Sequence, residues 1–177
     1  MSALFAATDV HYPPSGGARA GLVLARDARF EAVVGERVVV LDSVAEYRPG
    51  QFYLRELPAL RSVLQGVVGV SLLIVDGYVD LEPEGRRPGL GFHCHQAFGV
   101  PVIGVAKTRF EGATQAAEVL RGDSLRPLYV TAAGQSVAAA ADLVAKMSGR
   151  FRLPDALKRV DALARGRAAP MPDEAQQ

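Results

Sequence analysis

Cysteine is almost absent from this 177-residue chain: Cys94 is the only one. A single thiol excludes an internal disulfide framework, and it excludes a structural zinc site built from several cysteines. Tryptophan is missing and aromatic residues make up only 7%. No apolar run approaches the roughly 18 residues that a membrane span requires, and the first residues lack the basic region and cleavage pattern of a secretory leader. A cytoplasmic protein without a membrane partner is the expectation. Charge of one sign is lacking too, because 20 basic residues face 19 acidic ones for a net charge of +1. The molecule as a whole therefore does not attract polyanions, although a local basic groove is compatible with a neutral average. Lysine is scarce, and only Lys107, Lys146 and Lys158 interrupt an arginine-dominated set.

What is present is 49% hydrophobic residues in short, punctuated runs, which suits one domain with a substantial core. Residues 3–12 read as a strand, the turn chemistry of "PPSGG" sends the chain back, and residues 18–25 form the return. The valine-rich stretch 31–43 supplies a third strand, interrupted at Gly35. Leu54, Leu57, Leu60 and Leu64 recur at spacings of three and four, predicting an amphipathic helix over 53–68. Strands at 70–76, 100–106 and 127–133 then alternate with helices at 90–98, 113–121, 136–148 and 155–165, and 77–89 reads as a loop. An antiparallel three-stranded meander followed by βα units, with helices on both faces of a mixed central sheet, predicts an α/β domain of ribonuclease H type. The domain is expected to span 1–166, with 167–177 a disordered tail.

Three acids occupy positions that surface solubility does not explain. Asp9 stands near the end of the first strand, Asp76 ends the apolar run "SLLIVD", and Glu56 lies in the first turn of the first helix. If strands one and four are neighbours, Asp9 and Asp76 meet at one sheet edge, with Glu56 above them. Two such charges about 4 Å apart repel by roughly 4 kcal/mol at an effective dielectric near 20, so the cluster takes up a proton or a cation. Oxygen-only ligands favour Mg²⁺ or Mn²⁺. Each acid also has a plainer reading: Asp9 as a turn acceptor, Asp76 as the start of an Asp-Gly turn, Glu56 as a charge favoured by the helix dipole. Lys107 closes "VPVIGVAK" and suits either a phosphate contact or ordinary solvation. His93 and His95 flank Cys94, but the i, i+2 spacing separates them on a helix, which weakens a metal site there.

The segments "TDVHY", "YRPGQFYLRE", "IVDG", "GFHCHQAFGVPVIGVAK" and "RFRLPDALKRVD", in that order between residues 6 and about 163, resemble the motifs of the endonuclease V (deoxyinosine 3′ endonuclease) family. The resemblance implies a ribonuclease H-like, Mg²⁺-dependent endonuclease, with Mn²⁺ as a substitute, that cuts on the 3′ side of hypoxanthine. Its partner is inosine-containing DNA, or RNA, and it acts as a monomer in nucleic-acid repair. It also implies Asp9, Glu56 and Asp76 as catalytic metal ligands and Lys107 as a catalytic cation. Tyr47, Pro49 and Gly50 match a wedge that enters the duplex, and Gly77 and His95 match further substrate contacts. Departures accompany these matches: Glu46 and Arg48 alter the wedge, Glu82 and Gln135 stand where histidines are usual, and an N-terminal helical segment is missing. Two other functions are compatible with the altered motifs, a lesion-binding protein without turnover and a ribonuclease H-like nuclease with another substrate.

Overall fold

The computed structural model describes residues 3–46, 48, 49, 51–82, 84 and 87–171. Three strands open the chain, β1 (Leu4–His11), β2 (Ala18–Ala25) and β3 (Val33–Leu41), and they pair antiparallel as the expected meander. Helix α1 (Tyr53–Leu64) leads into β4 (Val70–Asp76), which runs parallel to β1. A short ribbon of β5 (Asp80–Glu82) and β6 (Arg87–Pro88) occupies the segment expected to be a plain loop. Helix α2 (Leu90–Phe98) then returns the chain to β7 (Val102–Ala106), parallel to β4. Next come β8 (Ala117–Val119), β9 (Leu128–Ala133), α3 (Val137–Lys146) and α4 (Asp155–Ala164). The seven-stranded sheet has the order β3-β2-β1-β4-β7-β9-β8. No helix among the described residues is long and apolar enough to cross a membrane.

Central strands are apolar at consecutive positions because both faces of the sheet are covered. Ala6, Leu22, Leu73 and Val75 pack towards α1 and α2, whereas Ala7, Val23, Ile74 and Val105 pack towards α3 and α4. Gly21 sets how closely α4 docks. A Cβ there would stand 2.8 Å from the carbonyl oxygen of Val160, so only glycine admits the helix at this depth. Gly21 is also the register partner of Asp9, which brings α4 alongside that acid.

The structure corrects further expectations. Residues 113–121 do not form a helix: 117–119 pair with the open edge of β9. Alternation decides it, because Val119 and Arg121 are buried while Glu118 and Leu120 are exposed, and an available strand edge outweighs the helical preference of two alanines. Helix α1 stops at Leu64, where Arg37 captures the carbonyl oxygens of Val63 and Gln65. It is also rotated, so that Glu56, Ala59, Leu60 and Val63 face inward while Leu54 is exposed. The sheet is mixed, as expected: β9 runs antiparallel to β7. Of the segment expected to be a tail, residues 167–171 are described: the carbonyl of Ala169 accepts from Arg159, and the amide of Met171 donates to Glu36.

Candidate active site

Parallel pairing of β1 with β4 aligns Thr8 with Val75, so the next residues, Asp9 and Asp76, emerge side by side at the carboxyl ends of their strands. Pairing of β4 with β7 aligns Asp76 with Val105, and two residues further on Lys107 reaches back. Its Nζ donates to Asp76 Oδ2 at 2.9 Å. Strand parity places Ala7, Ile74 and Val105 on the α4 face, and Asp9, Asp76 and Lys107 continue that face. Glu56 arrives from the opposite layer. It is only 7% exposed, and its Oε2 has no hydrogen-bond partner. Asp9, Glu56 and Asp76 line one narrow cavity together with Thr8 and Leu90.

Electrostatics follow from this convergence. Burial, and then the charges of Asp9 and Asp76, push the Glu56 carboxyl well above its usual range. Asp9 is raised from 3.8 to about 7 by burial and by Asp76, with Lys107 acting in the other direction. Burial works against the charge of Lys107, but its hydrogen bond to Asp76 and the attraction of Asp76 and Asp9 prevail and raise its pKa. Ionising all three acids beside one ammonium would leave an excess of negative charge in a confined space, which is why Glu56 and Asp9 tend to keep their protons. An all-oxygen donor set with an unpartnered buried oxygen is what a hard divalent cation satisfies. The acids do not yet enclose such an ion: no three His, Cys, Asp or Glu side chains among the described residues stand in a ready ligating arrangement, and Asp76 is engaged by Lys107 instead.

Beside the acids opens a cleft of about 290 Å³ walled by Phe52, Tyr53, Gly77, Tyr78 and Leu90. Gly77 has a φ of 122° and open space where a Cβ would stand. The Tyr78 hydroxyl donates to the carbonyl of Thr108 at 2.7 Å and accepts from the Phe110 amide at 3.0 Å, which fixes the floor. Tyr53 stacks on His93, with centroids 3.5 Å apart. Pro49 lies exposed on the preceding loop, and Tyr47 and Gly50 lie outside the described residues.

His95 is not brought to this cluster. Its Nδ1 pairs with the carbonyl of Val100 at 2.7 Å, before β7 begins and therefore at the end of that strand remote from Lys107. Gln135 follows Gly134, which packs on His95 and Pro101 at the same remote end. Glu82 pairs loosely with Arg87 at 3.8 Å on the ribbon. His93 faces Tyr53 while His95 faces Val100, so Cys94 and its flanking histidines form no metal site.

Sequence reading passed over Asp161. This residue of α4 raises the pKa of both Asp9 and Lys107 by its charge, and it is held by Arg165 at 2.9 Å. The available signal was its place in the buried helical stripe of Leu157, Val160 and Ala164, where an acid is out of character.

Residues 2–125 match the family described as Endonuclease V. The Endonuclease V of Azotobacter vinelandii is 31% identical over 186 residues, covering 93% of this chain and 83% of its own length. The crystal structure of Endonuclease V from Streptomyces avermitilis aligns with a TM-score of 0.77 at 26% identity, covering 94% of this chain and 81% of that one. Endonuclease V of Ciona intestinalis, solved in complex with a 24mer DNA containing an inosine followed by a ribo-adenosine, shares the fold with a TM-score of 0.76 at 16% identity, over 93% and 85% of the two chains.

Proposed function

Since the chain belongs to the endonuclease V family of nucleases, we propose that it hydrolyses a phosphodiester bond on the 3′ side of deoxyinosine in DNA, with Mg²⁺ or Mn²⁺ as the required ion. The observation that carries this reading is the meeting of Asp9, Asp76 and Glu56 around one cavity, with a buried Glu56 oxygen left unpartnered. Asp9 and Asp76 would hold the ion, with Glu56 as a further ligand or as the base. When bound, the ion supplies charge neutralisation at the phosphate and lowers the pKa of water. Lys107, already poised at the strand end, places a second positive charge where a phosphate oxygen gathers charge during cleavage.

The cleft suits the base. Phe52, Tyr53 and Leu90 offer apolar and aromatic surface, and Gly77 leaves room for close approach. Extruding a base from a duplex costs a few kcal/mol, least where pairing is already poor, so a deaminated base is favoured over a normal one. Of the residues that match the wedge, Pro49 is described: it lies exposed shortly before α1, the helix that carries Glu56, and Phe52 and Tyr53 at the start of that helix line the cleft. The carboxylate set is complete, which favours turnover over lesion binding alone.

Cleavage of end-labelled inosine DNA, inosine RNA and unmodified controls in Mg²⁺ tests the assignment. Cutting is expected one bond or more to the 3′ side of inosine and absent from unmodified strands. Asp76→Ala should lower turnover by at least about a hundredfold while retaining binding. Unchanged turnover in that variant removes the metal mechanism, and inertness of the wild type on every substrate leaves a binding role.

A further inference from the structure

The loop between α3 and α4 carries a built surface feature that the cleavage reading does not use. Phe151 is 53% exposed, although it shortly precedes α4, whose Ala156, Leu157, Val160, Leu163 and Ala164 are buried. Lys158 Nζ stands 3.9 Å from the centre of its ring, and the Arg150 guanidinium carbon stands 4.8 Å from it. An exposed aromatic ring flanked by two cations presents both a stacking surface and charge for a polyanion.

The backbone beneath the ring is held with unusual thoroughness. Arg121, only 5% exposed, reaches from the end of β8 into the loop. Its Nη1 donates to the carbonyl of Phe151 at 2.9 Å, and its Nη2 donates to those of Met147 and Gly149. One residue later Arg152 turns outward and donates to the carbonyls of Arg126, Pro127 and Lys107. The loop is thus fixed from below by one arginine and tied to the catalytic strand end by another. An ordered loop loses little further freedom on binding, so contacts made on it are fully expressed as affinity.

Its position points to the partner. Leu153 lines a small cavity with Asp9, Asp76 and Lys107. Two residues of chain span at most about 7 Å, so the Phe151 backbone lies within that distance of Leu153, and the neighbouring Arg152 is bonded to the Lys107 carbonyl at the strand end of that cluster. We infer that Phe151, with Arg150 and Lys158, forms a stacking and phosphate-binding platform for an unpaired nucleotide of the substrate strand beside the scissile bond. The inference rests on the nucleic-acid reading of the active site. Asp155 stands 3.5 Å from Lys158, whereas Arg150 forms no ion pair among the described residues, and the ring supplies what a duplex edge does not need, a flat face for a free base.

The test is equilibrium binding of a labelled inosine-free single-stranded 12-mer DNA to the full chain in EDTA, against a blunt duplex of the same sequence. Phe151→Ala and Phe151→Leu should each weaken single-strand binding about tenfold, within the range for loss of one base–aromatic stack, and shift duplex binding less than about twofold. Phe151→Tyr should stay within about threefold of wild type. Arg150→Gln should reduce the slope of log affinity against log salt by about 0.7, the value for one phosphate contact on a single strand. Wild-type affinity in both Phe151→Ala and Phe151→Leu overturns the platform, as does failure of the wild type to bind the single strand. Wild-type affinity in Phe151→Leu alone also overturns it, because apolar bulk and not the ring is then what matters. Cleavage of the inosine strand by the same wild-type preparation separates the two readings: cutting without an effect at position 151 removes only the platform, and an effect at 151 without cutting removes only the endonuclease.

Discussion

Replacing Asp9 by asparagine keeps the shape of the side chain and the acceptor for the Val10 amide, bonded at 2.8 Å, and removes one negative charge from the acid cavity. A carboxyl displaced from 3.8 to about 7 weakens the native state at neutral to alkaline pH by about 4 kcal/mol if nothing else responds. Screening by water at the cavity mouth and relaxation of Lys107 reduce this to about 2 kcal/mol. For a chain of this length that is a rise of about 4–8 °C in melting temperature for Asp9→Asn at about pH 8 in EDTA. The sign follows from proton counting. Between 3.8 and about 7 the native protein holds a proton on Asp9 that the unfolded chain has lost, so wild-type stability falls as pH rises across that window and levels off above it. The variant lacks this contribution, so the two proteins should melt together near pH 4 and diverge towards pH 7. Mg²⁺ should reverse the order by raising the melting temperature of the wild type only. Thermal unfolding followed by circular dichroism at several pH values measures all of this. A variant that melts below wild type at pH 8 in EDTA, or a gap that does not change with pH, refutes the electrostatic account of the cavity.

Glu36 should behave in the opposite sense. Burial favours its protonated form, but two 2.7 Å hydrogen bonds from Arg159, the Met171 amide and the arginine charge outweigh that and hold its carboxyl low. Glu36→Gln is expected to lose about 2 kcal/mol, less than a fully buried pair would because Arg159 is partly exposed. That loss should be present above about pH 4.5 and vanish as pH falls through the lowered native value, which urea unfolding at about pH 7 and pH 3 will show. Gly104→Ala places a Cβ 2.6 Å from the Gly77 carbonyl oxygen and 2.9 Å from the Val79 amide nitrogen. Both are backbone atoms of the cleft lip, so about 2 kcal/mol of stability and a raised KM are expected together, and an unchanged melting curve refutes the close packing.

Strands β1 to β4, β7 and β9 were legible because each is a short apolar run bounded by charged or turn-forming residues, and a buried sheet needs that pattern. The end-of-strand position of Asp9 and Asp76 was legible for the same reason: a carboxylate does not terminate a core strand without a use. Rotation of α1 was not, since Leu54 and Glu56 compete for one inward position and only the shape of the sheet beneath decides between them. Asp161 escaped notice because its relation to Asp9 spans most of the chain and depends on the close docking that Gly21 allows. Residues 117–119 read as helix because local composition says nothing of the vacant edge on β9. His95 was placed from motif similarity, and the direction of α2 carries it to the far end of the sheet.

Strand β3 forms one margin of the sheet, and it is fastened on both sides. Arg37 reaches the last turn of α1, and Glu36 reaches α4 and the returning residues up to Met171. A nine-residue margin of valines is otherwise an invitation to intermolecular pairing. With its two faces buckled to different helices, the ribbon resists flattening into the shape another molecule could extend. The bonds that Ala169 and Met171 make to Arg159 and Glu36 thus help to hold that margin in its twisted shape, and a chain shortened before Ala169 is expected to self-associate more readily.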